Sequence, residues 1–379
     1  MKFIKDVSRT TFKLCQKKIR RILPMICGIV VLTYLLTYSS HEDDMIVGVR
    51  KKQLGINLEV TSPSVNDSQL SVTTDNTTIG TTPIPVNPAI HFPLDIDLKQ
   101  SVKDKIEKNI DVPAKPINEH NFKYIHKPLK CEFANIAGGI NMLILVKSGV
   151  RNVFLRNGIR DTWGENLAGN IKLRFMLGYS VSHVETSKRE AETYNDIILE
   201  NFVDAYPNNT LKTIMGFNWA VTECASARII LFLDDDHLPH VNNIMTHLRS
   251  LNDDDLDSLF LGYRIDNGKI YKGRHHWAIP RNVYPYKTWA PYLRGGAYIV
   301  SQKNAKKFAV AFPFVQYLHV DDGYLGVVAL KLGIEPQHDD RFVTRKRDIM
   351  NNKASFVYND YKHPHNLKMG WKVVKNAKS

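Results

Sequence analysis

An α/β fold with a parallel-rich sheet is what this sequence predicts, on three observations. From about residue 140, short apolar runs of strand length alternate with segments of helical period. The strongest run, Ile229-Ile230-Leu231-Phe232-Leu233, ends in Asp234-Asp235-Asp236, and in open α/β sheets ligands bind at the carboxyl ends of the strands. Upstream of residue 131 the alternation is missing, which confines the predicted core to 131–379. That length suits one sizeable core, and no internal repeat interrupts it.

Each element has its own warrant. Ile140 to Val146 is short and apolar, a buried strand. Val150 to Trp163 has helical spacing, and Trp163-Gly164 ends it. Ile171 to Gly178 is a strand, Glu185 to Tyr194 a helix, and Ile197 to Phe202 a short strand. Thr210 to Ala225 is a helix, followed by the strand Arg228 to Leu233 that feeds the acidic triplet. From Leu259 to Val300, strand-like pieces are broken by Gly, Pro and aromatic residues, a composition suited to an acceptor pocket. A last helical pattern opens at Asp321-Asp322 and runs through Tyr324, Val327, Val328, Leu330 and Leu332.

Ahead of the core the chain changes character. The first 21 residues hold eight bases and one acid, about half of the net charge of +13. Ile22 to Tyr38 follows, seventeen residues without a charge, closed by His41, Glu42, Asp43 and Asp44. That is the short limit for a membrane-spanning helix, and the basic flank belongs on the cytoplasmic side. The expected organisation is a cytoplasmic tail at 1–21, a transmembrane signal-anchor at 22–38, a luminal stem at 39–130 and a catalytic domain at 131–379. The rival is a cleaved signal peptide, but no small-x-small cleavage site follows the apolar run. The stem is rich in Thr, Ser, Asn, Asp and Pro and predicts disorder. Glycosylation sequons stand at Asn66, Asn76 and Asn208. No zinc-finger spacing or aromatic-basic motif points to nucleic acid. Of the four cysteines, Cys15 lies in the tail and Cys27 in the apolar span. Cys131 and Cys224 remain for an oxidising lumen, as one disulfide or as two buried thiols.

Several groups carry chemistry. Asp234 and Asp236 form an Asp-x-Asp suited to a divalent metal, the alternative being a solvated acidic turn. Asp321 and Asp322 open a helix, where one carboxylate serves as a cap or support and the other as a general base. Arg156 and Arg160 share a helix face and suit phosphates, or else ordinary ion pairs. His363 and His365 offer imidazoles to a Mn-type metal, or form an exposed turn. Gly295-Gly296 permits close approach of a ligand to the backbone, or makes a plain turn.

Together these segments resemble the β-1,3-galactosyltransferase family, glycosyltransferase family 31. Arg156-Asn157-Gly158-Ile159-Arg160-Asp161-Thr162-Trp163-Gly164 resembles R-x-x-I-R-x-T-W-G, and Phe175-Met176-Leu177-Gly178 resembles F-L-L-G. Glu190 to Ile198 and Phe202 to Tyr206 are similar to E-x-x-x-Y-x-D-I-I and D-F-x-D-x-Y. Asn208 to Thr213 is similar to N-L-T-L-K-T, and Asp321 to Gly326 to E-D-V-Y-V-G. Trp219 and Cys224 fall where the family helix carries W and C, and Asp234-Asp235-Asp236 fills the D-x-D position. Two stretches depart. Leu293-Arg294-Gly295-Gly296-Ala297-Tyr298 stands for C-S-G-x-G-Y, and His237-Leu238-Pro239-His240 replaces the usual apolar run ending in Asn.

The resemblance implies a GT-A type nucleotide-sugar fold with a mostly parallel sheet, placed in the Golgi membrane as a single-pass type II protein. It also implies inverting transfer with Mn2+ or Mg2+ from a UDP-sugar to a glycan on lipid or protein. Galactose is the expected sugar and N-acetylglucosamine the alternative. Asp236, and Asp234 through water, would hold the ion, with Arg156, Arg160, Asp235, Gly295 and Gly296 on the donor. Asp322 would be the base and Asp321 its support. Two other classes remain open: a catalytically silent luminal binding or chaperone protein on the same fold, and a metal-dependent hydrolase.

Overall fold

The computed structural model describes residues 92–376. Its strands are β1 (Tyr124–His126), β2 (Met142–Lys147), β3 (Ile171–Tyr179), β4 (Ile197–Val203), β5 (Ile229–Asp234), β6 (Leu238–Pro239), β7 (Phe260–Ile265), β8 (Tyr292–Ser301), β9 (Gln337–His338), β10 (Thr344–Arg345) and β11 (Val357–Asn359). The main sheet has the order β1-β4-β3-β2-β5-β8-β7-β9, and a small sheet the order β10-β11-β6.

Side-chain alternation in the central strands builds a core on each face. Leu143 and Leu145 of β2, with Ile230 and Phe232 of β5, pack against the helices Asn209–Glu223, Gln302–Ala311 and Asp321–Leu332. Met142, Ile144 and Val146, with Ile229, Leu231 and Leu233, face the other way. There they meet residues of the helices Val153–Arg160, Val241–Ser250 and Pro364–Asn376. Burial on both faces explains why these strands are apolar without interruption.

The sheet is mixed, which corrects the expectation of a mostly parallel one. The strands β4, β3, β2 and β5 run parallel. β1 is antiparallel to β4, β8 to β5, and β7 to β8. The reason lies in the connections, since parallel neighbours need a crossover while antiparallel ones do not. The irregular segment 266–291 joins β7 to β8 without a helix, so β8 runs back alongside its predecessor.

The expectation of a membrane-spanning protein is also corrected. Among the described residues no helix is long and apolar enough to cross a membrane. The expected span, 22–38, lies outside the described residues, and the type II and Golgi placement built on it is set aside. Asn66 and Asn76 also lie outside them.

Part of the segment read as stem is built into the fold. The helix Leu98–Lys108 buries Leu98 and Val102 in the first core, and β1 pairs with β4. The Asn118 amide donates to the Tyr324 hydroxyl, and His120 meets Glu200 at 2.6 Å. Asn208 donates its own amide to the Val203 carbonyl, and Thr210 of the same sequon is buried.

Cys131 and Cys224 form a disulfide, with Cα atoms 4.8 Å apart and a sequence separation of 93. The Cys131 N–H donates to the Glu223 carbonyl, so the bond staples the entry of the core to the end of the helix preceding β5. In the chain-entropy model such a loop contributes about 4 kcal/mol. Replacing both cysteines by Ser in the full chain should lower unfolding free energy by about that amount. Peptide mapping without reduction should recover the linked pair, and two free thiols would overturn the assignment.

Candidate active site

The site begins at two adjacent strand ends. Lys147 of β2 is in register with Asp234 of β5, and both follow the apolar positions that face the first core. The Lys147 ammonium is buried and donates to Asp321 and to the Gly295 carbonyl, each at 2.9 Å, and it sits 3.1 Å from Asp234. Burial works against its charge, but the Asp234 and Asp321 carboxylates outweigh that and hold its pKa well above the ordinary lysine range.

The strand ends at Asp234, and a turn at Asp235-Asp236 separates the acidic triplet. Asp234 and Asp236 face the cleft, while Asp235 turns inward, accepting from the Ser148 hydroxyl at 2.7 Å and the Asn152 amide at 2.9 Å. Asp235 is therefore absent from the cleft wall, contrary to the donor-contact expectation.

Asp234, Asp236 and His237 bring one ligand atom each within 4.8 Å of one another. Two carboxylates and an imidazole fit a divalent cation of the kind implied by the sequence. A hydrogen bond of 2.7 Å between His237 Nδ1 and Asp236 leaves Nε2 facing Gly296. Burial pushes the Asp236 carboxyl up, but His237 and then Lys362 bring it below the usual range. His363 and His365 are exposed at the start of the helix Pro364–Asn376 and stand outside this group.

The two glycines divide the labour along β8. A Cβ on Gly296 would lie 2.6 Å from His237 Nε2, and one on Gly295 would lie 3.3 Å from the Asp322 Cβ. The glycines thus let the metal-suited group and Asp322 close on the same strand.

Asp321 and Asp322 occupy the first turn of the helix Asp321–Leu332, whose N-cap, Val320, makes no side-chain cap bond. Asp321 is taken by Lys147 and Thr213, a supporting position rather than a cap. Asp322 accepts from the Gly323 N–H at 2.8 Å. Burial first, and then the neighbouring Asp321 charge, push its carboxyl up to about 6. That value suits a base working near neutral pH.

Arg156 and Arg160 do not reach the cleft. The Arg156 guanidinium is fully buried and bidentate to Glu190 at 2.8 and 2.6 Å, and it also donates to Ser148. Arg160 pairs with Asp196 and Glu190 and stacks on the Tyr194 ring at 3.9 Å. A buried guanidinium needs partners for all its donors, and the fold supplies them internally. Its job is positional, since Arg156 holds Ser148, which holds Asp235.

These groups line a cleft of about 640 Å³, whose walls also carry Tyr206, Trp277, Trp289 and Tyr292. The Trp277 indole donates to the Tyr206 hydroxyl. Sequence reasoning missed Lys147, His237 and Lys362 as site residues. Lys147 left a signal, a lysine at the carboxyl end of an apolar strand. His237 showed only as a departure from a pattern.

Two carboxylates and an imidazole beside a raised carboxyl, at the carboxyl ends of strands, suit metal-assisted group transfer. The comparisons sharpen the class. The galactosyltransferase family model matches residues 155–340. Beta-1,3-galactosyltransferase 1 of Homo sapiens is 34% identical over 238 residues, covering 61% of this chain and 72% of that protein. Beta-1,3-galactosyltransferase brn of Drosophila melanogaster is 33% identical over 225 residues, covering 58% and 69%. Lactosylceramide 1,3-N-acetyl-beta-D-glucosaminyltransferase of Xenopus tropicalis is 31% identical over 252 residues, covering 62% and 65%. The chain belongs to the β-1,3-galactosyltransferase family, and its activity is that of a hexosyltransferase.

Three outcomes are expected from this geometry. Asp322→Asn should lower kcat by roughly 100- to 10,000-fold while UDP-sugar affinity and Tm stay near wild type. In the wild-type protein, kcat should fall about tenfold per pH unit below about 6, because the base is lost as Asp322 takes up a proton. An acidic limb centred near pH 4 would remove Asp322 from that role. Arg156→Ala should behave differently, costing about 1–3 kcal/mol of stability, because Glu190 loses its bidentate partner and keeps only Arg160. A stable variant with a raised donor KM would return Arg156 to the donor site.

Proposed function

We propose that the protein is an inverting, metal-dependent β-1,3-glycosyltransferase that moves galactose from UDP-galactose to a hydroxyl of a glycolipid or glycoprotein glycan. The observation that carries this reading is the placement of Asp322, a half-buried carboxyl pushed up to about 6, in the wall of the same cleft as Asp234, Asp236 and His237. In this reading Asp322 accepts the proton of the acceptor hydroxyl as its oxygen attacks the anomeric carbon. The bond from that carbon to the diphosphate breaks, and the α-linked sugar becomes β-linked. Asp234, Asp236 and His237 would hold the ion, which when bound neutralises charge developing on the leaving diphosphate. Lys362, beside Asp236 in the cleft wall, supplies a second positive charge on that side. Asp321 and Lys147 keep Asp322 and Asp234 in place.

N-acetylglucosamine is the second reading for the donor sugar, favoured by the similarity to the Xenopus N-acetylglucosaminyltransferase. A silent binding protein would have no need for a carboxyl tuned towards neutrality. A hydrolase would use the same carboxylates, with water in place of the acceptor. The three separate in one experiment on the full chain, with UDP-galactose and UDP-N-acetylglucosamine offered with and without acceptor, in Mn2+ and after chelation. Transfer of galactose that is lost on chelation and regained with Mn2+ is expected; hydrolysis unaffected by acceptor would favour the hydrolase. Asp236→Ala should abolish metal-dependent donor binding in titration calorimetry, and unchanged UDP-sugar affinity in Mn2+ would count decisively against the ligand assignment.

A further inference from the structure

We propose that the acceptor carries an anionic group (carboxylate, sulfate ester or phosphate) read by Arg294 and the basic segment 266–291. The inference rests on the glycosyltransferase reading and names its substrate class. Three consecutive residues of β8 set out the cleft in order. Gly296 faces His237 and Asp234, Gly295 faces Asp322, and Arg294, which precedes them, is exposed in the cleft wall. Arg294 stands two residues before Gly296, whose near neighbours are His237 and Asp234. Pairing of β7 with β8 shifts register between Gly262 and Arg264, and Arg294, Gly295, Gly296 and Ala297 all line the cleft. The reacting hydroxyl must sit at Asp322, so a group reaching Arg294 belongs to the acceptor. The donor diphosphate lies towards the other end, where Lys362 stands beside Asp236.

The charge around Arg294 points the same way. Segment 266–291 holds five lysines and arginines and one acid, Asp266, which is already paired with Arg264 at 2.9 Å. Lys269 lines the cleft with Arg294, and Lys272, Arg274, Arg281 and Lys287 are exposed on the same segment. Among the described residues none of these six cations is in an ion pair, whereas Arg156, Arg160 and Arg341 all are. Arg294 also stands where the family pattern C-S-G-x-G-Y has Ser. A guanidinium there offers a planar fork to a carboxylate, sulfate or phosphate and offers little to a neutral sugar.

The test uses the full chain with UDP-galactose and Mn2+ and three matched acceptors: a neutral oligosaccharide, the same with one uronic carboxylate, and the same with one sulfate ester. One or both charged acceptors should exceed the neutral one in kcat/KM by roughly tenfold at low salt, and the advantage should shrink as salt is added. The arm with the larger advantage identifies the anion. Arg294→Ser should bring the ratio close to one, and Arg294→Lys should restore part of it. The salt dependence of the wild-type ratio needs no variant and stands if Arg294→Ser misfolds. Equal use of charged and neutral acceptors, or a preference that survives Arg294→Ser, overturns the inference while leaving the transferase reading intact. Absence of turnover with either UDP-sugar and every acceptor overturns both.

Discussion

One buried ammonium organises this cleft. Lys147 ends a strand whose preceding residues are wholly apolar, and its charge is kept only because two carboxylates from two other elements meet it. An isolated ammonium in that position would lose its proton or unfold the strand end. The three-way contact therefore ties β2, β5 and the helix Asp321–Leu332 to one point. Such a contact adds little net stability, because desolvation offsets attraction. Its effect is geometric. It holds the metal-suited carboxylates and the base in one frame, with only one residue separating Asp234 from Asp236 and none between Asp321 and Asp322.

Charge balance then accounts for the rest of the site. Asp234, Asp236, Asp321 and Asp322 share one cleft, and Lys147 answers for part of that charge. The residual excess near His237 suits a dication, and burial makes Asp322 hold a proton more tightly than an ordinary carboxyl does. The same site that would repel itself in isolation is arranged to receive a cation and a proton.

Much of this was legible in the sequence. The apolar runs announced the central strands, since strands buried on both faces cannot hide their composition. The Asp-x-Asp at the end of the strongest run announced the cleft, but not that Asp235 turns away from it to Ser148 and Asn152. Strand direction beyond β5 was not legible: a broken segment such as 266–291 states that a helix is missing, not which way the next strand returns. Arg156 and Arg160 misled for a physical reason. Their partners Glu190 and Asp196 are about thirty-five residues away, so the pattern showed two cations on one face and concealed the anions that neutralise them. His237 was hidden in the opposite sense. It reads as an irregularity in a motif until Gly296 is seen to make room for it.

The strand β1 has a consequence for how the molecule keeps to itself. It covers β4, which is otherwise the last strand on that side of the sheet and is apolar along most of its length. A chain begun at Cys131 would retain every cleft residue and still lose this cover. It would bare a row of unpaired backbone donors and acceptors, together with the apolar hollow filled by Leu98 and Val102. Open strand edges of that kind recruit other chains. The short segment that precedes the core thus closes a sheet edge and an apolar hollow, although it adds nothing to the cleft.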